Sequence, residues 1–143
     1  MNDYRIFVDG SCRANGNGGV GIVWIKDGQK VLEYSKGFKE VTNNRMELIA
    51  IGYALMSIKK PINSLEIISD SEYAIGVLTK PWKPKKNVEL IARIRKQIEI
   101  TQKLVKELIK WTHTRGHQSD DSENTKFNSI CDKLAQNESS MIL

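Results

Sequence analysis

Cysteine is scarce in this chain, with only Cys12 and Cys131 among 143 residues. Two thiols cannot lay out a disulfide framework, and a reducing compartment would keep both free. Neither Cys-x-x-Cys nor His-Glu-x-x-His occurs, so a zinc site built from the cysteines and His113 is rejected, and His113 reads better as part of a strand. Proline appears three times, and there is no glycine-serine linker or low-complexity tract, so one domain over residues 1–143 is expected. Apolar runs are only a few residues long, and the opening Met-Asn-Asp-Tyr-Arg lacks the hydrophobic stretch of a signal peptide or membrane span. A soluble, cytoplasmic protein without membrane contact is expected, and a monomer.

What is present is charge, unevenly placed. Residues 80–115 hold 11 Lys or Arg against 3 Asp or Glu, a local +8 within a chain of net +5, and the remainder carries 11 basic against 14 acidic residues, or −3. A basic segment beside an acidic remainder suits a polyanion held near carboxylates that need cations, although lysines along a solvated helix face would give the same count.

Hydrophobic periodicity gives the element order βββαβααβα. Tyr4 to Asp9, Gly19 to Lys26 and Lys30 to Phe38 read as strands of an antiparallel meander, with Asp27-Gly28 as a hairpin turn. Asn43 to Lys59 is helical, with Glu47, Ile51, Ala54, Leu55 and Ile58 on one face and Pro61 beyond its end. Leu65 to Ser69 is a short strand, and Asp70 is a candidate cap for a helix running to about Leu78. A stripe from Leu90 and Ile91 through Ile94, Ile98 and Thr101 to Leu104 and Val105 predicts a helix over 87–106. Leu108 to His113 is β-like, and Thr125 to Gln136 is helical. A meander followed by strands alternating with helices implies an α/β fold with a mixed sheet covered by helices.

Four acids sit where structure alone does not ask for them: Asp9 and Asp70 after strands, Glu47 on an apolar helix face, and Asp132 before Lys-Leu-Ala. Aspartate after a strand is commonly a turn or cap residue. Glu47 is harder to explain, because burying an ionised carboxylate without partners costs several kcal/mol, roughly. If the strands before Asp9 and Asp70 are parallel neighbours, the carboxylates converge at one sheet edge, where ligands bind in open α/β sheets. Hard oxygen ligands gathered from separate segments suit Mg²⁺, whose main work near neutral pH is phosphoryl chemistry.

Asp9-Gly10-Ser11-Cys12, Thr42-Asn43-Asn44-Arg45-Met46-Glu47-Leu48, Ser69-Asp70-Ser71-Glu72-Tyr73, Arg115-Gly116-His117 and Asn128-Ser129-Ile130-Cys131-Asp132-Lys133-Leu134-Ala135 resemble, in order and spacing, the type 1 ribonuclease H family. The resemblance spans nearly the whole chain. It implies a ribonuclease H-like five-stranded mixed sheet, with a three-strand antiparallel meander plus parallel strands, flanked by helices. It also implies an endonuclease that cuts the RNA strand of RNA/DNA hybrids, leaving 5′-phosphate and 3′-hydroxyl ends. Asp9, Glu47, Asp70 and Asp132 match the family's metal-binding set, with Asp9 as the ligand bridging two Mg²⁺; Mn²⁺ is the alternative ion. In such a site two ions roughly 4 Å apart flank the scissile phosphate, one preparing the attacking water and the other stabilising the departing 3′ oxygen. Without the ions, the four carboxylates should repel one another and raise some pKa values. His117 matches the family's loop histidine, implied to transfer a proton or help product and metal leave.

The same resemblance implies that Cys12, Asn15, Asn43 and Asn44 lie along the minor groove of the hybrid and that Thr42 helps hold a DNA phosphate. Tyr73 and Trp82 would form an aromatic channel for DNA. Thr42 or Asn43 also suits a helix N-cap. The chain departs from several bacterial relatives at Lys80-Pro81-Trp82-Lys83-Pro84-Lys85-Lys86, where those carry a longer basic protrusion. Lys83, Lys85 and Lys86, interleaved with Trp82, can still track phosphates beside a stacking face; a proline-stiffened solvated loop is the plainer reading.

Gly16-Asn17-Gly18-Gly19-Val20-Gly21 satisfies Gly-x-Gly-x-x-Gly, the dinucleotide fingerprint, but that motif must open a helix and here it runs into a strand. Two rival functions remain at this level. A related DNA nuclease or junction resolvase would share the fold and acids but not the Thr-Asn-Asn-Arg-Met-Glu and Arg-Gly-His motifs; a hybrid-binding module without catalysis would keep the basic segment and lose carboxylates.

Overall fold

The computed structural model describes residues 2–114 and 123–141. Five strands, β1 (Asp3–Cys12), β2 (Gly18–Lys26), β3 (Gln29–Phe38), β4 (Ser64–Ser69) and β5 (Lys110–His113), and four helices, α1 (Asn43–Met56), α2 (Glu72–Thr79), α3 (Val88–Gln102) and α4 (Glu123–Met141), follow in the expected order. They form one mixed sheet, β3-β2-β1-β4-β5. The first three strands are antiparallel neighbours, while β4 runs parallel to both β1 and β5.

Alternation along β1 sends its side chains into two cores. Ile6 and Val8 join Val20, Ile22, Ile67 and the buried faces of α1, α2 and α3 on one side. Phe7 joins Val23, Ile25, Ile68, Phe127 and Cys131 under α4 on the other. Asp9 has the parity of the α4 side and Gly10 that of the α1 side, so this dipeptide looks both ways at the edge of the sheet.

Local chemistry explains most boundaries. Asp27 and Gly28 both have positive φ, 49° and 86°, as a tight hairpin between twisted strands requires. Gly16, also at positive φ, sits in the turn that Arg13 and Asn17 close, and the glycines after it enter β2, so the dinucleotide motif is a strand connection as expected. Thr42 caps α1 by accepting from the Arg45 N–H.

Several boundaries differ from the periodicity, among them α4, which runs past Gln136 to Met141. α1 stops at Met56 rather than Lys59, because Ser57 takes the C-cap and its hydroxyl both donates to the Ala54 carbonyl and accepts from the Trp24 indole. α3 ends at Gln102, not 106: the Gln102 amide donates to the carbonyls of Val105 and Glu107 and accepts from the Ile109 N–H, so Leu104 and Val105 pack from a turn instead of a helix. β5 is correspondingly short, starting at Lys110. The cap of α2 is Ser71, whose hydroxyl accepts from the Ala74 N–H, not Asp70. That correction removes the cap as the reason for a carboxylate at position 70.

Candidate active site

Asp9 does not end its strand as the hydrophobic run suggested. β1 continues to Cys12 because it stays paired with β2 after its pairing with β4 has stopped at Val8 and Ser69, so Asp9 faces Gly21 within the ladder. Asp70 is the next residue along β4, and the two aspartates leave adjacent parallel strands at the same level. Glu47 enters from α1, one turn into the helix.

Gly10 is what lets these groups meet. Its N–H donates to Asp9 Oδ1 at 2.9 Å and to Glu47 Oε1 at 3.1 Å. A Cβ at this position would lie 2.5 Å from the Glu47 backbone nitrogen and 2.6 Å from the Met46 carbonyl carbon, so only glycine allows α1 this close to β1. One carboxylate oxygen from each of Asp9, Glu47 and Asp70 then lies within 4.8 Å of the others. Asp9 is 2% exposed and Glu47 4%, and Asp70 is half-buried.

Asp132 reaches the same region from α4. The helix can press onto β2 because Gly19 and Gly21 have no side chains: a Cβ on Gly21 would meet the Cys131 carbonyl and approach Leu134 Cβ to 2.8 Å. Asp132 is half-buried, accepts from the Gln136 amide at 2.9 Å, and adjoins the group of three rather than belonging to it.

The electrostatics of this cluster are unfavourable without a cation. Burial pushes the Asp9 carboxyl far above the usual carboxylate range, and the charges of Glu47 and Asp70 push it further, with Asp132 adding to the rise. Glu47 is raised by burial first and by Asp70 next, against the downward pull of hydrogen bonds to Asp9 and the Gly10 N–H. The nearby Cys131 thiol is also held well up, by burial and then by Asp9. Asp9 Oδ2 and Glu47 Oε2 are buried with no hydrogen-bond partner. Such oxygens are a costly arrangement in a protein alone and an ordinary one around a hard divalent cation, so the residues present fit a metal ion.

Around the acids, the other candidates fall into two groups. Thr42, Asn44, Tyr73, Trp82, Lys83, Lys85 and Lys86 line one groove of about 470 Å³. Cys12, Asn15 and Asn43 do not line it. The Cys12 thiol donates to the Val41 carbonyl at 3.1 Å, Asn15 accepts from the Asn17 N–H within the turn, and Asn43 is exposed in the first turn of α1. His117 lies outside the described residues.

Three residues of this region do not stand out in the sequence. Gly10 and Gly76 are places of close approach: the Trp82 ring occupies the space a Gly76 side chain would need. A glycine amid the apolar residues of a short helix is the available signal for Gly76. Arg95 is concealed by the general basicity of its segment. It donates to the Val77 carbonyl at 2.6 Å and the Trp82 carbonyl at 2.9 Å, which pins the basic segment to α2 and α3. The Lys80 ammonium completes the support, 5.0 Å from the centre of the Trp82 ring.

A family model described as RNase H matches residues 1–140. The chain is 38% identical to the ribonuclease H of Actinobacillus pleuropneumoniae over 150 aligned residues, covering 95% of this chain and 90% of that one. It is 39% identical to the ribonuclease HI of Shewanella oneidensis, covering 92% and 84%. Among solved structures, RNase H1 from the halophilic archaeon Halobacterium salinarum superposes with a TM-score of 0.75 at 23% identity, covering 98% of this chain and 99% of that one. The last likeness concerns the fold alone.

Proposed function

Since the chain belongs to the RNase H family, we propose that it hydrolyses the RNA strand of RNA/DNA hybrids, leaving 5′-phosphate and 3′-hydroxyl ends, with Asp9, Glu47, Asp70 and Asp132 as its metal-holding carboxylates. The observation that carries this assignment is the pair of buried, unpartnered oxygens on Asp9 and Glu47 beside Asp70. Two Mg²⁺, or Mn²⁺ in their place, would supply Lewis-acid activation of water and stabilisation of the leaving oxygen. The net reaction adds water to phosphorus, breaks the bond to the 3′ oxygen and delivers a proton to that oxygen.

The chain's own part is to hold charge, strand and proton in place. Asp9, the least exposed of the four acids and flanked by Glu47, Asp70 and Asp132, would hold the ions from the middle of the set. The groove from Thr42 and Asn44 to Tyr73, Trp82 and the three lysines offers polar groups, aromatic faces and positive charge in one run, which fits a DNA backbone. Cys12, Asn15 and Asn43 would meet the minor groove, where the 2′-hydroxyl distinguishes RNA. His117 keeps the implied role in proton transfer or release. A single domain fits one sheet cored on both faces, and a cytoplasmic monomer belongs to the same proposal; separately, no helix among the described residues is long and apolar enough to cross a membrane.

The decisive experiment offers labelled RNA/DNA hybrid, duplex RNA and duplex DNA to the protein with Mg²⁺ and with a chelator. Cleavage confined to the RNA of the hybrid, and abolished by the chelator, is the expected result. Equal cutting of duplex DNA would favour a DNA nuclease or junction resolvase of the same fold. Hybrid retention without cutting would favour a binding module.

The basic groove makes its own prediction. Replacing Lys83, Lys85 and Lys86 together by Gln should raise KM for the hybrid and flatten its dependence on salt, by roughly 0.7–0.9 in log–log slope for each phosphate that a lysine no longer neutralises. The value of kcat at saturating hybrid should change little. An unchanged salt slope would mean that these lysines face solvent only.

A further inference from the structure

Asp70 occupies an awkward place for a metal ligand, one residue past the last rung of the ladder. Val8 with Ser69 closes the β1–β4 pairing, and Ser69 with His113 closes the β4–β5 pairing. The neighbours of Asp70 are fastened: the Ser69 carbonyl accepts from the Thr114 N–H at 2.9 Å, and the Ser71 N–H donates to the Ser69 hydroxyl at 3.0 Å. The carbonyl of Asp70 itself is met by a side chain from β5. His113 Nε2 lies 3.2 Å from it. A carbonyl oxygen only accepts, so Nε2 carries the proton in this contact.

We propose that His113 is a positioning residue for the metal site, its ring N–H clamping the Asp70 peptide and so fixing the direction in which the Asp70 carboxylate leaves the strand end. The contact carries the β4–β5 connection one residue past the paired register. It matters because the ligand oxygens of Asp9, Glu47 and Asp70 share a space of only 4.8 Å. A turn of the Asp70 peptide plane would carry its carboxylate out of that space, while Asp9 and Glu47, locked by Gly10, could not follow. Groups that hold a metal ligand from behind commonly govern metal affinity about as firmly as their hydrogen bond governs the ligand's geometry. The inference rests on the proposed function only in taking these carboxylates as cation ligands.

The test is calorimetric titration of the full chain with Mn²⁺ alone, beside steady-state cleavage of labelled hybrid. His113→Ala should bind Mn²⁺ about tenfold more weakly, the lower end of what such partners contribute. It should need correspondingly more metal for half-maximal cleavage at an unchanged KM for hybrid. His113→Gln, whose amide nitrogen reaches the former position of Nε2, should restore most of the affinity. Both variants should match the wild type in metal-free melting temperature, because the ring is exposed. Wild-type Mn²⁺ affinity in His113→Ala would overturn the inference and leave the proposed function standing, as would a Gln variant no better than Ala. A wild-type chain that neither binds Mn²⁺ nor cuts hybrid would overturn both.

Discussion

Asp9→Asn should abolish cleavage of the hybrid, by about a thousandfold or more in kcat, and at the same time make the metal-free protein more stable at neutral pH. The two effects have one cause. Asp9 is enclosed beside Glu47 and Asp70 with an unpartnered oxygen, so its negative charge is tolerated for the sake of a cation and not for the fold. Removing a ligand from a metal that supplies several kcal/mol of transition-state stabilisation forfeits a few powers of ten in rate. Removing the ionisable carboxyl from the metal-free cluster removes the cost of holding it protonated at neutral pH, where the unfolded chain would ionise it. An Asn amide at this position can donate to Glu47, while its oxygen keeps the bond from the Gly10 N–H.

The pH dependence follows from the sign of the shift. Folding raises the Asp9 and Glu47 pKa values, so the folded state binds their protons more tightly than the unfolded chain does. Their favourable contribution is fully present below the unfolded values, about 3.9 and 4.3, and is lost as pH rises through the folded ones. Holding one carboxyl protonated at pH 7 against an unfolded value near 3.9 costs about 4 kcal/mol, which bounds the effect from above. A gain on the order of 2 kcal/mol for Asp9→Asn at pH 7 is expected, shrinking toward zero near pH 4. Urea unfolding of the wild type and the variant, with chelator and with saturating Mg²⁺, reads it directly. Mg²⁺ should stabilise the wild type much more than the variant, so the order of stabilities narrows or inverts when metal is added. A variant less stable than the wild type in chelator would show that Asp9 is structural.

Much of this could be read from residue order. Strands alternate where β-branched residues cluster, α1 shows its buried face through Ile51, Ala54 and Leu55, and the order of elements and the mixed sheet agree with the structure. Glu47 was legible because it interrupts an apolar face, whereas Asp70 alone reads as a helix cap and stood out only together with the other acids and the motif around it; the structure gives that cap to Ser71. Boundaries were less legible wherever a side chain from elsewhere decides them. Periodicity carries α3 through Val105, but the Gln102 amide ends it by satisfying three backbone groups of the following turn. Asp9 reads as terminal because hydrophobicity falls after Val8, whereas hydrogen bonding to β2 continues through Gly10, Ser11 and Cys12 irrespective of side chain. The contacts of His113 and Arg95 were hidden for a different reason, since each joins segments whose nearness exists only in the folded chain.

Gly10→Ala should cost the protein both stability and cleavage, although it adds a single methyl group. Its added Cβ would meet backbone, at 2.5 Å from the Glu47 nitrogen and 2.6 Å from the Met46 carbonyl carbon, so no side-chain rotation can relieve it. Restoring ordinary contact near 3.5 Å requires β1 and α1 to separate by about 1 Å. That separation lies across the bond from the Gly10 N–H to Glu47 Oε1, and it draws Glu47 away from Asp9 and Asp70. Overpacking of this kind costs about 1–3 kcal/mol, and a ligand displaced by an ångström costs on the order of a hundredfold in rate. Gly28→Ala is the matched control. It lies in the β2–β3 turn at φ 86° with open space around its Cβ position, so it bears backbone strain of about 1 kcal/mol and no collision. The two variants should therefore both lower the urea midpoint, yet only Gly10→Ala should lose cleavage under conditions where each remains folded. Equal activity in the two would mean that the distance between β1 and α1 is not what assembles the carboxylates.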